Sequence, residues 1–353
     1  MPGTNIFPIK IQEEDGQKII TREEIYEQTM KEIGLTEADL EEFVRKNVEI
    51  LFPDGEETLL IIGQQVRNKA AGRADLVGID GKGNIVLIEL KRDKNDISQR
   101  KEAFEFQAIR YAANYALIKT QQDIVQKLFA PYIERHQEEA EFKQSLDNGL
   151  TASEKATRML AKFLEDNQAQ ETLNRHQCII LIASSFDDQT LSACAWLAQN
   201  NINIRCIAIS PIQYEKQYFF QVEQVIPPLK IEEYYVEIAE PKTSNSSSTS
   251  GIAIQPKKKL PRMIDILSWK LVDPGDSLYI KDNEREIATV IDDTYVKYQN
   301  QKMTYNNWGK KIKRWSAINI YEWVIHQPTN KTLHTLRREK LEELSQITPT
   351  ETI

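Results

Sequence analysis

The sequence predicts an α/β protein, built on a mixed sheet flanked by helices and followed by a small α+β domain. Three observations predict it. Residues 73–91 hold two runs rich in β-branched residues, Val77 and Ile79 in the first and Ile85, Val86 and Ile88 in the second, joined by Gly81-Lys82-Gly83. That is the pattern of a hairpin. Gln177 to Ser184, Asp188 to Asn200 and Ile202 to Ile209 read as strand, amphipathic helix and strand with short links, the signature of a parallel pair. Lys242 to Gln255 (KTSNSSSTSGIAIQ) is Ser/Thr-rich and poor in apolar residues, as flexible linkers are. The expected division is a first domain over residues 1–240, a linker over 241–258 and a second domain over 259–345.

The elements follow in chain order. Residues 1–20 read as extended, with a turn at Asp15-Gly16. Thr21 to Ile33 reads as a helix, with Thr21 and Glu24 at capping-box spacing and Gly34 at its end. Thr36 and Asp39 cap a second helix that runs to Phe52, with Leu40, Phe43 and Val44 on its apolar face. Glu41 sits beside that face and Glu42 points further away. Thr58 to Val66 is a β-run. After the hairpin, Ser98 to Leu117 is a helix that sets Gln107 and Tyr111 one turn apart on one face. Residues 121–174 are helical, charged and weakly broken. Tyr218 to Val225 suits an edge strand. The second domain opens with a helix over Met263 to Trp269 and a turn at Asp273-Pro274-Gly275-Asp276. It continues with β-runs at Ser277–Ile280, Glu286–Ile291 and Tyr295–Tyr298, and closes with a helix over Leu333–Leu344.

Composition sets the bounds. The chain has 353 residues, 41% hydrophobic and 28% charged, the balance of a globular protein with two domains. No apolar run reaches the length of a membrane span, and the first residues lack a signal-peptide pattern, so no membrane partner is expected. Cys178, Cys194 and Cys206 show no CxxC pairing, which argues against a zinc ribbon and for a reducing, cytoplasmic setting. His136, His176, His326 and His334 form no metal-spaced cluster. The net charge of −8 is uneven. Pro256 to Trp315 carries 13 Lys/Arg against 8 Asp/Glu, which leaves −13 on the remainder.

The hairpin carries the chemistry. In simple register Asp80 faces Asn84, Ile79 faces Ile85, Val77 faces Leu87 and Asp75 faces Glu89. Asp75, Glu89 and Lys91 then share one face. Opposed Cβ atoms lie about 5 Å apart, so the two carboxylates repel unless a cation sits between them. A divalent-metal site uses that arrangement; a half-solvated ladder of salt bridges is the plainer alternative.

The residues Gly72-Arg73-Ala74-Asp75, Glu89-Leu90-Lys91 and Gln107-Ala108-Ile109-Arg110-Tyr111, preceded by Leu40-Glu41, stand in an order that resembles the PD-(D/E)xK nucleases, in particular the branch of the mismatch endonuclease NucS. The likeness spans roughly residues 36–116. Ala74 stands where the strict pattern has proline. Residues 177–228 resemble an extension seen in bacterial members. The resemblance implies a restriction-endonuclease-like core and metal-assisted phosphodiester hydrolysis. It implies that Asp75, Glu89 and the Leu90 backbone carbonyl ligate Mg²⁺ or Mn²⁺, with Glu41 on a metal water or a second ion. Lys91 would orient water or stabilise transition-state charge. Gln107 would position Lys91 or DNA, and Arg73, Arg110 and Tyr111 would contact phosphate or brace the site. Glu42 is the rival to Glu41 if the helix register is off by one. Gln107 and Tyr111 also suit core-edge positions, Glu41 a solvated one, and Arg110 a structural one.

The second domain resembles, more loosely, the small RAMA module found beside restriction enzymes and adenine methylases, through LVDPGDSLYI and WGKKIKRWSAINIYEWV. That likeness implies DNA targeting, with modified bases as one object. From the residues alone, Trp308, Lys310, Lys311, Lys313, Arg314 and Trp315 interleave charge with aromatics, which suits phosphates and stacked bases. A basic helix whose tryptophans fill a small core is the alternative, and Tyr321 and Trp323 read as core. The expected activity is a Mg²⁺-dependent DNA endonuclease of restriction-like defence or repair. A non-catalytic nucleic-acid-binding protein and an RNA-processing nuclease are the alternatives. A homodimer would follow for double-strand cleavage, since a single metal site cuts one strand.

Overall fold

A computed structural model describes residues 8–14, 17–52, 54–67, 72–93, 96–97, 102–143, 149–227 and 260–346. The expected linker, the Asp15-Gly16 turn and the helix start at Ser98 lie outside the described residues. Contacts divide the chain into two units, Met1–Leu51 with Ile61–Pro227, and Phe52–Leu60 with Pro228–Ile353.

The first unit is a mixed sheet with helices packed on it. Its strands run in the order β3 (Tyr26–Glu27), β8 (Ile204–Tyr214), β7 (Gln177–Ala183), β6 (Ile85–Leu90), β5 (Arg73–Asp80), β4 (Leu59–Arg67), with β9 (Gln217–Ile226) also paired to β8. β5 and β6 are antiparallel, while β6, β7 and β8 are parallel to one another. The hairpin register is the one its turn dictates, Ile79 opposite Ile85 and Val77 opposite Leu87. Asp80 Oδ1 accepts from the Lys82 and Asn84 N–H groups at 2.9 and 2.8 Å, and Gly83 takes the left-handed φ of 81° that the turn needs. Every residue of β6 is buried, which is why that strand reads as an unbroken apolar run around Glu89. Helix α1 (Glu37–Lys46) packs on β5 and β6, α2 (Phe104–Tyr115) on β6 and β7, and α6 (Asp188–Gln199) on β8. Between α2 and β7 lie α3 (Gln121–Ile124), α4 (Ala130–Arg135) and α5 (Ala152–Asp166). Val125–Phe129 joins α3 to α4 as a π-helix. Pro131 has no N–H to return to the preceding turn, which accounts for the widening.

The helix expected over Thr21–Ile33 does not form. β1 (Ile9–Glu14) and β2 (Gln17–Arg22) make a hairpin that ends at Arg22, and β3 pairs with β8. The T-x-x-E signal is used one turn before Gly34 instead. Thr29 Oγ1 accepts from the Glu32 N–H at 3.2 Å, and Glu32 Oε2 accepts from the Thr29 N–H at 2.8 Å. Strand pairing thus overrode a helical pattern with no tertiary face to bury it. The Thr36–Asp39 capping box does form, but α1 stops at Lys46 and Val48–Leu51 continues as a 3₁₀ turn.

The second unit holds a six-stranded sheet in the order β13 (Gln301–Thr304), β12 (Tyr295–Tyr298), β11 (Asn283–Val290), β10 (Ser277–Ile280), β14 (Val324–His326), β15 (Lys331–Thr332). Four helices complete it, α7 (Met263–Ser268), α8 (Tyr305–Lys313), α9 (Ile320–Trp323) and α10 (Leu333–Gln346). Residues 52–60, which the sequence places in the first domain, group with this unit. Leu59 donates its N–H to the Ala317 carbonyl at 3.1 Å, and Asn319 Nδ2 donates to the Glu56 carbonyl at 2.7 Å. Arg337, 1% exposed, donates to Glu56 Oε1 at 2.9 Å and lies 3.9 Å over the Tyr321 ring. Glu56 is 32% exposed, so water takes up part of its charge when its partner is lost. Arg337→Ala is therefore expected to destabilise the second unit by about 1.5–3 kcal/mol, the worth of a hydrogen bond to a charged group, read from the denaturant midpoint; an unshifted midpoint would show that the Glu56 and Tyr321 contacts do not hold the unit.

Candidate active site

Helix α1 brings two carboxylates to the hairpin. Glu37 and Glu41 are four residues apart, so they project one above the other. Glu41 is 4% exposed and accepts from Gln64 Nε2 at 2.8 Å and from Gln65 Nε2. Burial raises its carboxyl, the charge of Asp75 adds to the rise, and the two glutamine amides oppose it. Glu42 turns away to Arg45 and Lys46, and the Arg45 guanidinium holds it at about 2. Of the two expected positions, Glu41 is the one the fold sets against the hairpin.

Asp75 sits where β5 enters the core, one residue before the Leu76–Ile88 pair. Its Oδ2 accepts the Leu90 N–H at 2.9 Å, and its Oδ1 accepts Gln65 Nε2 at 3.2 Å. Burial raises the Asp75 carboxyl; Glu37 adds to that, while the Leu90 N–H, Lys91 and Gln65 pull against it. Leu90, expected to offer its carbonyl to a metal, thus spends its N–H on the neighbouring carboxylate. Glu89 is 1% exposed and stands opposite Leu181 of β7. Its charge, added to burial, raises the Tyr115 hydroxyl. Lys91 has a buried side chain, and its Nζ lies 2.5 Å from Glu37 Oε1. Its backbone N–H reaches the Ile182 carbonyl at 2.8 Å.

Helix α2 braces the site from the other side. The Tyr111 hydroxyl accepts the Arg73 N–H at 3.0 Å and Gln107 Nε2 at 3.1 Å. Tyr111 is 3% exposed, and these two bonds join α2 to the start of β5. Gly72 belongs to this contact. A Cβ there would come within 2.7 Å of Tyr111 Cζ, so only glycine lets the strand start against the ring. Arg110 is exposed, pairs with Glu102 at 2.8 Å and covers the Tyr111 ring at 5.7 Å. Arg73 has an exposed side chain.

Three residues at this site were not anticipated: Glu37, Gln64 and Gln65. Glu37 could have been found from its spacing to Glu41, and the glutamines as polar residues closing an apolar strand. Gln65 bridges Glu41 and Asp75, and it holds a left-handed φ of 53°, rare outside glycine. A strained residue at such a junction commonly marks a working site.

The donors suit a hard divalent cation in kind. Carboxylate oxygens are its preferred ligands, and magnesium is usually held by one or two of them, with water and phosphate completing the shell. Among the described residues no three acidic, histidine or cysteine side chains form a protein-only cage. Asp75 and Glu89 are donors of that kind, and both are buried.

In the second unit the basic segment divides. Trp308 is 0% exposed, so its expected stacking on a base is corrected to a core role. Lys313 is corrected likewise: its side chain is 1% exposed and its Nζ lies 4.2 Å from the Trp323 ring centroid, inside the core that Trp315 and Trp323 build edge to face at 4.9 Å. Lys311 is exposed, Lys310 and Arg314 half-buried, and Arg314 ends α8 with a left-handed φ of 59°.

Neither a family model nor a curated protein matches the chain. Among solved structures, a match is found to one described as an EndoMS–dsDNA2 complex, at 14% identity and a TM-score of 0.22, covering 57% of this chain and 65% of that one. A likeness of that size is too slight to argue from.

The raised Asp75 carboxyl has a consequence for stability. The folded state holds the Asp75 proton more tightly than the unfolded chain does, so stability is greatest below the unfolded value, about 3.9, and falls as pH rises through the folded one. Asp75→Asn should accordingly melt higher than the parent near pH 7 without metal, and the gap should close below about pH 4. Equal melting temperatures at neutral pH would show that the Leu90 N–H and Lys91 already offset the burial.

Proposed function

We propose that the chain is a divalent-metal-dependent nuclease that hydrolyses DNA phosphodiester bonds, of the PD-(D/E)xK kind. The observation that carries this reading is the burial of Asp75 and Glu89 on two paired strands, with a buried Lys91 two residues beyond Glu89 and Glu41 joined to Asp75 through Gln65. Carboxylates withdrawn from water in this way call for a cation, and the lysine supplies positive charge where a phosphate would gain negative charge. A bound Mg²⁺ or Mn²⁺ would supply charge neutralisation at the phosphate and an acidified water. Asp75 and Glu89 would hold it, with the Leu90 carbonyl as a backbone oxygen. Lys91 would orient the attacking water or steady the developing charge. Glu37, ion-paired to Lys91, sets where that ammonium can reach. Glu41 and Gln65 form the rim through which a second ion or a metal water would be held. The second unit would add affinity through Lys310, Lys311 and Arg314.

A non-catalytic role in nucleic-acid binding is the alternative. It is favoured by one feature, the Gln65 amide that already bridges Glu41 and Asp75.

Cleavage assays on duplex, single-stranded and mismatched DNA and on RNA, with Mg²⁺, Mn²⁺ or EDTA, separate these readings. Metal-dependent cleavage is expected, lost in EDTA. Asp75→Ala and Lys91→Ala are each expected to lower the rate by about 100-fold or more while the far-ultraviolet spectrum is unchanged. Cleavage that survives both changes would refute the site. In binding titrations without metal, Lys311→Gln should weaken duplex affinity and lower the salt slope by about 0.9. Lys313→Gln should instead lower the melting temperature. If Lys313→Gln alone reduced the slope, the burial argument would fail.

A further inference from the structure

Beside Gln65 the first unit has a cleft of about 490 Å³. We infer that this cleft binds a single-stranded segment of nucleic acid, phosphates on its arginines and lysine and one base on its apolar wall, and so leads a strand to the carboxylates. The inference rests on the nuclease reading for the last clause and stands on the cleft for the rest.

Among the described residues four cations line the cleft, Arg67 and Arg73 from β4 and β5, and Lys127 and Arg135 from the helical segment 125–135. Among the described residues no acidic side chain lines it, although the chain as a whole carries a net −8. All four cations are exposed. Lys127 pairs with Asp123 at 2.5 Å across the surface, a contact that solvent weakens and a phosphate can displace. Arg135 donates to the Gln64 carbonyl at 2.6 Å, which ties the helical wall to the strand that carries Gln65. Lys127 and Leu128 reach the lining from the π-helical Val125–Phe129. Behind them, Arg45 reaches from α1 to the Tyr132 hydroxyl at 2.9 Å and to Glu139 Oε1 at 2.6 Å, so the wall and the helix bearing Glu41 are fixed to each other.

Size and chemistry decide the ligand. A volume of this order is that of a small-ligand pocket, room for about one nucleotide unit and too little for a duplex. Val66, Leu128 and Pro131 add apolar side chains to the same lining. Cations that track a backbone, with an apolar platform for a base, are the elements of single-strand binding. Gln65 connects this cleft to the site, since it lines the cleft and donates to Asp75 and Glu41.

The test uses the full chain in EDTA, where no cleavage intervenes, and labelled dodecamers of single-stranded DNA, RNA and duplex DNA. Arg67→Gln with Lys127→Gln is expected to weaken single-strand binding about tenfold and to lower its salt slope by about 1.4, at 0.7 for each charge. Duplex affinity should change less than twofold. Arg67→Gln alone, with half the slope change, serves if the double variant melts lower. Unchanged single-strand binding, or an equal loss on duplex, would overturn the proposal. Thymidine monophosphate is the further probe: competition as effective as that of the strand would make the cleft a nucleotide pocket and overturn the strand assignment. Metal-dependent cleavage with unchanged single-strand binding would sink the cleft alone. The stated binding pattern without cleavage under any metal would sink the nuclease reading alone.

Discussion

Asp75, Glu41 and Glu89 are carboxylates withdrawn from water at one end of a sheet, in a chain that already carries an excess of negative charge. Burying an ionised group costs several kcal/mol even after the protein relaxes around it. The surrounding contacts answer that cost locally. A backbone N–H from Leu90, an amide shared through Gln65, a second amide from Gln64 and the ammonium of Lys91 are all turned toward it. Both Asp75 and Glu41 nevertheless have raised carboxyls, so the compensation is partial. What remains is an appetite for positive charge, the physical basis for reading the site as one that takes a cation and a phosphate.

Two helices hold this arrangement in place by different means. α1 contributes charge: Glu37 engages Lys91 and Glu41 engages the glutamines, one turn apart, while Arg45 on its far side fastens it to the 121–139 segment. α2 contributes stiffness: Tyr111 packs on Gly72 and receives the first N–H of β5. The site is thus built on rigid elements, and the polar residues that tune it come from the end of β4, where backbone strain at Gln65 is tolerated.

The second unit shows the opposite use of charge and aromatics. Lys313 spends its ammonium on Trp323 and Trp315, and Arg337 its guanidinium on Tyr321 and Glu56. These cations are structural because their stems and aromatic partners are buried together. Within the 308–315 segment, that leaves Lys311 exposed and Lys310 and Arg314 half-buried.

Local sequence determined a good deal here. The 81–83 turn set the hairpin register, Thr36 and Asp39 started α1, and Gln177–Ile209 folds as strand, helix and strand because each signal is short-ranged and faces no competitor. It also set Asp75 against the Leu90 N–H, between Glu89 and Lys91 in the chain, since one turn fixes the register. Tertiary structure decided the rest. Thr21–Ile33 lost its helix because β2 and β3 found strand partners far along the chain or across a turn. Lys91 pairs with Glu37, and Gln65 joins Glu41 to Asp75, across 54, 24 and 10 residues. No periodicity encodes such pairings, because they depend on where helix and sheet meet. The same holds for Trp308 and Lys313, whose spacing suits either a surface or a core, and whose burial only the closed second unit could settle.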